Sequence, residues 1–154
     1  MEHEEQQEQS QTQALIVQPS TDMSAKELHI QKAWEFFRKI GSPKFVCAPM
    51  VDQSELSFRM LTRKYGTTLC YTPMLHSRLT VEDKTYLDKN FNTCPEDRPL
   101  VAQFCGNDPD TILKACLKIQ DMCDAVDINL GCPQGIARTG NYGSFLLEKP
   151  DLIL

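Results

Sequence analysis

From residue 45 onward, short apolar runs alternate with longer stretches in which apolar side chains recur every three or four positions. The first pattern is that of a buried strand and the second that of a helix with one covered face. Phe45-Val46-Cys47-Ala48, Thr68-Leu69-Cys70-Tyr71, Leu100-Val101-Ala102-Gln103-Phe104 and Ala125-Val126-Asp127-Ile128 read as four strands. Between the first two, Leu56, Met60 and Leu61 mark a helix ending near Tyr65, with Asp52 or Ser54 placed to cap it and Gly66 to stop it. A polar stretch after the second strand holds a short helix over about 81–88. After the third strand, Asn107-Asp108-Pro109 opens a helix running to about Met122, a capping side chain followed by proline in the first turn. A last helix begins near Ser144. Ahead of all this, Ile30, Ala33, Trp34, Phe37 and Ile40 define a helix over 24–40, with Ser24 and Glu27 at capping-box spacing and Gly41 and Pro43 ending it.

Strands alternating with helices predict a parallel sheet. The strand starts at 45, 68, 100 and 125 are 23, 32 and 25 residues apart. Eight such units make a (β/α)₈ barrel, so four make its amino-terminal half. The expected organisation is a disordered, acidic, Gln-rich tail over 1–23, a helix over 24–42, and a partial TIM barrel over 43–154.

Charge sharpens this division. Glu2, Glu4, Glu5, Glu8 and Asp22 are the charged residues before Lys26, and they account for the net charge of −5. Removing those five from the 21 acidic residues leaves 16, which the 16 basic ones balance. A neutral body lacks the basic stripe of a self-sufficient nucleic-acid binder. No run of about 18 apolar residues predicts a membrane span, and the first residues lack the apolar core of a secretory signal. Seven cysteines, an odd number without a Cys-x-x-Cys pair, argue against a disulfide framework or a metal site and for small thiols in a reducing compartment.

Chemistry in parallel β/α folds gathers where strands end. Here the strand ends carry Pro49-Met50-Val51, Pro73-Met74, Gln103 and Asn129, with Cys132 just beyond in Asp127-Ile128-Asn129-Leu130-Gly131-Cys132-Pro133. Two amides, a thiol and two proline-fixed turns suit the edge of a flat heteroaromatic ring, because each amide offers a donor and an acceptor together. No glycine-rich phosphate loop of the Walker or dinucleotide kind is present.

At these residues the chain resembles the tRNA-dihydrouridine synthases. The likeness rests on Ala48-Pro49-Met50, on Gln103, and on residues 127–133 continuing through Ala137, Gly140, Gly143 and Ser144. Residues 48–55 and Cys70-Tyr71-Thr72-Pro73-Met74-Leu75-His76 look most like the eukaryotic type-1 branch, which acts on D-loop uridines 16 and 17. The resemblance implies a TIM-barrel flavoenzyme, reduced by NADPH, that passes hydride from FMN to C6 of a uracil flipped out of tRNA. By the same likeness, Cys132 protonates C5, Gln103 binds the flavin edge, Pro49, Met50 and Val51 contact FMN through their backbone, and Asn129 touches flavin or base. An unperturbed thiol, with a pKa of about 8.5, is protonated at neutral pH and suits an acid.

The family's later-strand lysine and histidine, its phosphate-binding loops and its RNA-binding domain have no counterpart in this sequence. The expectation is therefore a truncated chain, cytoplasmic or nuclear, that binds FMN weakly or not at all and is inactive alone. Two alternatives remain at this point: a noncatalytic product that associates through its open sheet edge, and a flavin TIM-barrel reductase of free pyrimidines.

Overall fold

A computed structural model describes residues 23–154; the expected disordered tail lies outside them, apart from residue 23. The chain divides into two compact units, one ending at Phe36 and one spanning Phe37–Leu154. Helix α1 (Ala25–Lys39) begins at the capping box that the sequence signals. The Ser24 backbone N–H and hydroxyl both donate to Glu27 Oε2, at 2.9 and 2.8 Å, and the Glu27 N–H donates back to Ser24 Oγ at 3.3 Å. Reciprocal bonds of this kind occupy amides that an uncapped helix leaves open.

The second unit is a parallel sheet with helices between its strands. Its strands are β1 (Val46–Cys47), β2 (Leu69–Tyr71), β3 (Leu75–His76), β4 (Leu100–Cys105) and β5 (Ala125–Ile128). β1 pairs with β2, β2 and β3 lie in succession along one side of β4, and β5 pairs with its other side, all parallel. Spatial order thus follows chain order, as in the first half of a (β/α)₈ barrel. Among the described residues, β1 and β5 are the outer strands.

Strand periodicity sorts β4 into two faces. Leu100, Ala102 and Phe104 join a core with Cys47, Cys70, Ala115 and Ile119. Gln103 and Cys105 face the other way, and Cys105 packs there with Ala137 and Tyr142. All six residues of β4 are buried, whereas on β5 Val126 and Ile128 stay 45% and 42% exposed.

The connecting helices are α2 (Leu56–Lys64), α3 (Ser77–Glu82), α4 (Tyr86–Asn90), α5 (Pro109–Ile119), α6 (Gly135–Gly140) and α7 (Pro150–Ile153). α5 is capped as its sequence announces: Asp108 accepts from the Thr111 N–H at 2.7 Å, with Pro109 as the first helical residue. It ends at Ile119, and residues 120–122 tighten into a 3₁₀ turn.

Three expectations need correction. Neither Asp52 nor Ser54 caps α2. Glu55 occupies that position, and the Ser54 hydroxyl instead binds the Met50 peptide, accepting from its N–H at 2.9 Å and donating to its carbonyl at 3.1 Å. The single helix over 81–88 is two helices, because Asp83 accepts from both the N–H and the hydroxyl of Thr85 and turns the chain between them. The segment near Ser144 is a 3₁₀ turn from Gly143 to Glu148 rather than an α-helix. β3, α6 and α7 were not anticipated from the sequence.

Candidate functional site

A parallel register of Gln103 opposite Asp127 puts both side chains on the inner face of adjacent strands. From that pairing a chain of hydrogen bonds runs to Cys132. Gln103 Nε2 donates to Asp127 Oδ2 at 2.8 Å. Gln103 Oε1 accepts from Asn129 Nδ2 at 3.1 Å. Asn129 Oδ1 then accepts the backbone N–H groups of Gly131 and Cys132, at 3.0 and 2.9 Å. On the other side, the Gln103 N–H donates to Thr72 Oγ1 at 3.1 Å.

The Cys132 peptide is also gripped at its carbonyl, which accepts from the N–H and the hydroxyl of Ser144, both at 3.1 Å. That approach requires Gly143. Its φ of +66° lies in the left-handed region, and a Cβ there would sit 2.5 Å from the Cys132 carbonyl oxygen. The turn carrying the thiol is therefore held through its own backbone on both sides, by the Asn129 side chain at its N–H groups and by Ser144 at the Cys132 carbonyl. Among the described residues no hydrogen bond engages the sulfur itself. The side chain is half-buried against the cluster of Cys105, Ala137 and Tyr142.

These groups open onto a cleft of about 540 Å³ at the carboxyl ends of the strands. Pro49, Met50, Val51, Gln103, Asn129 and Cys132 all line it, so the six candidate residues share one space. The turn bearing Met50 is held by the Ser54 hydroxyl described above. Met74, from the second proline-methionine pair, lines the cleft as well.

The sequence reading missed Tyr142, Gln53, Gln134 and Ile136, which also border the cleft. Tyr142 is 4% exposed and meets the His76 ring edge-on, with centroids 5.7 Å apart and planes at 81°. Burial, with Cys105 and Cys132 alongside, pushes its phenol pKa up. The Asn-Tyr-Gly run at 141–143 carried the signal, since Asn and Gly at positive φ mark a built turn. Asp127 was legible only as a strand residue. Burial pushes the Cys105 thiol up to about 11. It likewise lowers the pKa of His76, helped by Arg78 and opposed by Glu82. Among the described residues no group of three or more His, Cys, Asp or Glu is placed to hold a metal ion, and no helix is long and apolar enough to cross a membrane.

The cleft was tested for a flavin by its own donors. Its volume lies within the usual range of about 300–1,000 Å³ for small-molecule sites. Two amides and a proline-fixed peptide suit the polar edge of an isoalloxazine ring. None of the lining residues is Lys or Arg, so this cleft offers no side-chain cation to the phosphate of FMN.

Comparison with known proteins bears on the same residues. A family model described as "Dihydrouridine synthase (Dus)" matches residues 46–154. A tRNA-dihydrouridine(16/17) synthase of Schizosaccharomyces pombe is 56% identical over 133 residues, which cover 85% of this chain and 33% of that protein. One of Saccharomyces cerevisiae is 57% identical over 122 residues, covering 77% of this chain and 29% of that protein. A similarly named protein of Rattus norvegicus is 54% identical over 125 residues, 79% of this chain and 28% of its own length. All three names include NAD(P)(+). The chain spans about a third of the length of these relatives.

Proposed function

The chain belongs to the dihydrouridine synthase family, and from that premise we propose that it carries the thiol-bearing part of a tRNA-uridine reductase site. The reaction is reduction of the uracil C5=C6 bond, at D-loop positions 16 and 17, the positions in the names of the two yeast relatives described above. Such a chain works in the cytoplasm or nucleus, where tRNA is modified.

The observation that supports this reading is the shared cleft. A thiol, two oriented amides and the Pro49–Val51 peptide border a space that suits a flat ring. Pro49 and Val51 hold the flavin through backbone groups. Met50, expected to do the same, has its own N–H and carbonyl taken by Ser54 and sets the turn between them. Gln103 meets the polar edge of the ring. Each amide nitrogen of Gln103 and Asn129 spends one N–H on the chain to Cys132, which leaves one N–H on each for a ligand carbonyl. Asn129 thereby reaches flavin or base. The chemistry that FMN supplies when bound, after reduction by NADPH, is hydride donation to C6.

Cys132 holds the proton for C5. The S–H bond breaks as the C5–H bond forms, and the resulting thiolate is reprotonated from solvent. Uracil must leave its stack to reach the cleft, at a cost of a few kcal/mol. The neutral body of this chain offers little phosphate-binding charge to offset that cost, so tRNA binding draws on protein beyond these residues. Without a cation at the cleft, the chain alone holds FMN weakly and is inactive alone.

The test is made in cells. Deleting the gene whose product contains this sequence and mapping dihydrouridine in tRNA is expected to show loss at positions 16 and 17, restored by that whole gene and not by its Cys132→Ala form, nor by residues 1–154 alone. Unchanged dihydrouridine at both positions contradicts the reading.

A further inference from the structure

We propose that Asp127 is a positioning residue for the Cys132 turn, acting through Gln103 and Asn129. The proposal rests on the uridine-reductase reading only for its purpose. The connection itself rests on hydrogen-bond polarity. At one end stands a carboxylate, which when ionised only accepts. At the other end stand two backbone N–H groups, which only donate.

Between them lie two primary amides, either of which would be free to flip in isolation, since each presents a donor and an acceptor in nearly the same shape. The ends remove that freedom. Asp127 takes the Gln103 NH₂ at 2.8 Å, which turns Gln103 Oε1 toward Asn129. The amides of Gly131 and Cys132 take Asn129 Oδ1, which turns Asn129 Nδ2 toward Gln103. The 3.1 Å bond between the two side chains is the one place where both constraints meet, and they agree.

Asp127 therefore does two things. It selects which atom of Gln103 faces which neighbour, and it ties the thiol-bearing turn to the register of β4 and β5, where Gln103 stands opposite Asp127. An apolar residue at 127 would leave the Gln103 NH₂ without its acceptor and its orientation held by the Asn129 bond alone, which makes a flip easier. A flipped Gln103 presents its NH₂ to the Asn129 NH₂, and that clash releases the carbonyl that holds Gly131 and Cys132. Asp127 touches neither ligand nor reacting atom in this account.

The experiment uses the ¹⁵N-labelled full chain and reads amide hydrogen exchange at Gly131 and Cys132, with β4 amides as the internal reference. Asp127→Leu is expected to speed exchange at Gly131 and Cys132 by about tenfold, an effect of the size of one hydrogen bond, while β4 stays protected. Asp127→Asn keeps an acceptor for Gln103 and is expected to retain the protection.

A second pair of variants separates positioning from bulk stability. Gln103→Glu sets two carboxylates against each other and is expected to loosen the turn. Gln103→Glu combined with Asp127→Asn restores a donor facing an acceptor and is expected to tighten it again. Wild-type exchange at Gly131 and Cys132 in Asp127→Leu with β4 protected overturns the proposal. So does a double variant no tighter than Gln103→Glu alone. Should Asp127→Leu loosen β4 as well, the double variant decides. No flavin or RNA enters these measurements, so their failure leaves the uridine-reductase reading untouched, and failure of that reading leaves the relay in place.

Discussion

Two polar networks in this chain are built around an aspartate, and they use it in opposite ways. Between α2 and the segment leading into β4, Asp97 is fully buried and takes two arginines of α2. Arg59 donates to it through Nε and Nη2, at 2.9 and 2.7 Å, and Arg63 through Nε at 3.0 Å. Arg59 also gives Nη1 to the Ser54 carbonyl and Nη2 to that of Asn92, so four of its five N–H donors are engaged. At the rim, Asp127 holds a line of neutral amides that is half open. Each of its amide nitrogens keeps an N–H in reserve. The first network is nearly filled, with one N–H of Arg59 left over, and its charges are paired as buried charges must be. The second has capacity to spare beside a thiol. Spare capacity at a strand end, more than polarity as such, separates a group that binds a ligand from one that holds the fold.

The contrast can be broken most forcefully at Asp97. Asp97→Ala leaves two arginines facing each other without a counter-ion, Arg59 fully buried and Arg63 nearly so, and is expected to cost about 3–5 kcal/mol, lowering the whole unfolding transition in urea. A change of less than about 1 kcal/mol would mean the buried knot is not what secures α2 to the segment before β4.

Next comes Gly143→Ala, expected to cost about 1–3 kcal/mol. Here the cost should be local. Amide exchange at Cys132 and Ser144 rises, while the amides around Arg59 and Asp97 hold. Equal loosening in both regions would erase the distinction between them.

A smaller effect sharpens the rim itself. Cys105 is 2% exposed and Cys132 half-buried at the cleft. Alkylation of the native chain near pH 8, read by mass spectrometry, is expected to modify Cys132 well before Cys105. Burial raises the Cys105 pKa from 9.0 to about 11. Above pH 9 the unfolded chain gives up this proton before the folded chain does. The stability contribution is therefore complete below pH 9 and is lost as pH rises toward 11. Cys105→Ser is expected to reduce this alkaline loss; an unchanged slope between pH 9 and 11 contradicts the assignment.

Much of this was written in the sequence, and the reasons are local. The four main strands carry continuous apolar runs, α1 carries a capping box three residues wide, and α5 opens on Asp108-Pro109. Each is decided by neighbours within a turn or two. That the six candidate residues share one cleft was legible because strand ends and a thiol-bearing turn follow from chain order once the sheet is known to be parallel. What stayed hidden depends on distance. β3 is two residues long and exists because Leu75 and His76 find Phe104 and Cys105 in β4. Arg59 meets Asp97 across 38 residues, and nothing near either residue announces the other. Asp127 reads as an ordinary strand residue until register sets it against Gln103. Ser54 looked like a helix cap because its type and place were right, but the Met50 peptide lay nearer.

The central claim is that the Cys132 cleft receives the ring of a flavin and offers no cation to its phosphate. Titrating the ¹⁵N-labelled chain with riboflavin and with FMN tests this directly. The account predicts shifts at Met50, Val51 and the side-chain amides of Gln103 and Asn129, with equal, weak affinity for the two ligands. Shifts confined to other residues, no shift up to the solubility limit of riboflavin, or FMN retained stoichiometrically through purification would contradict it.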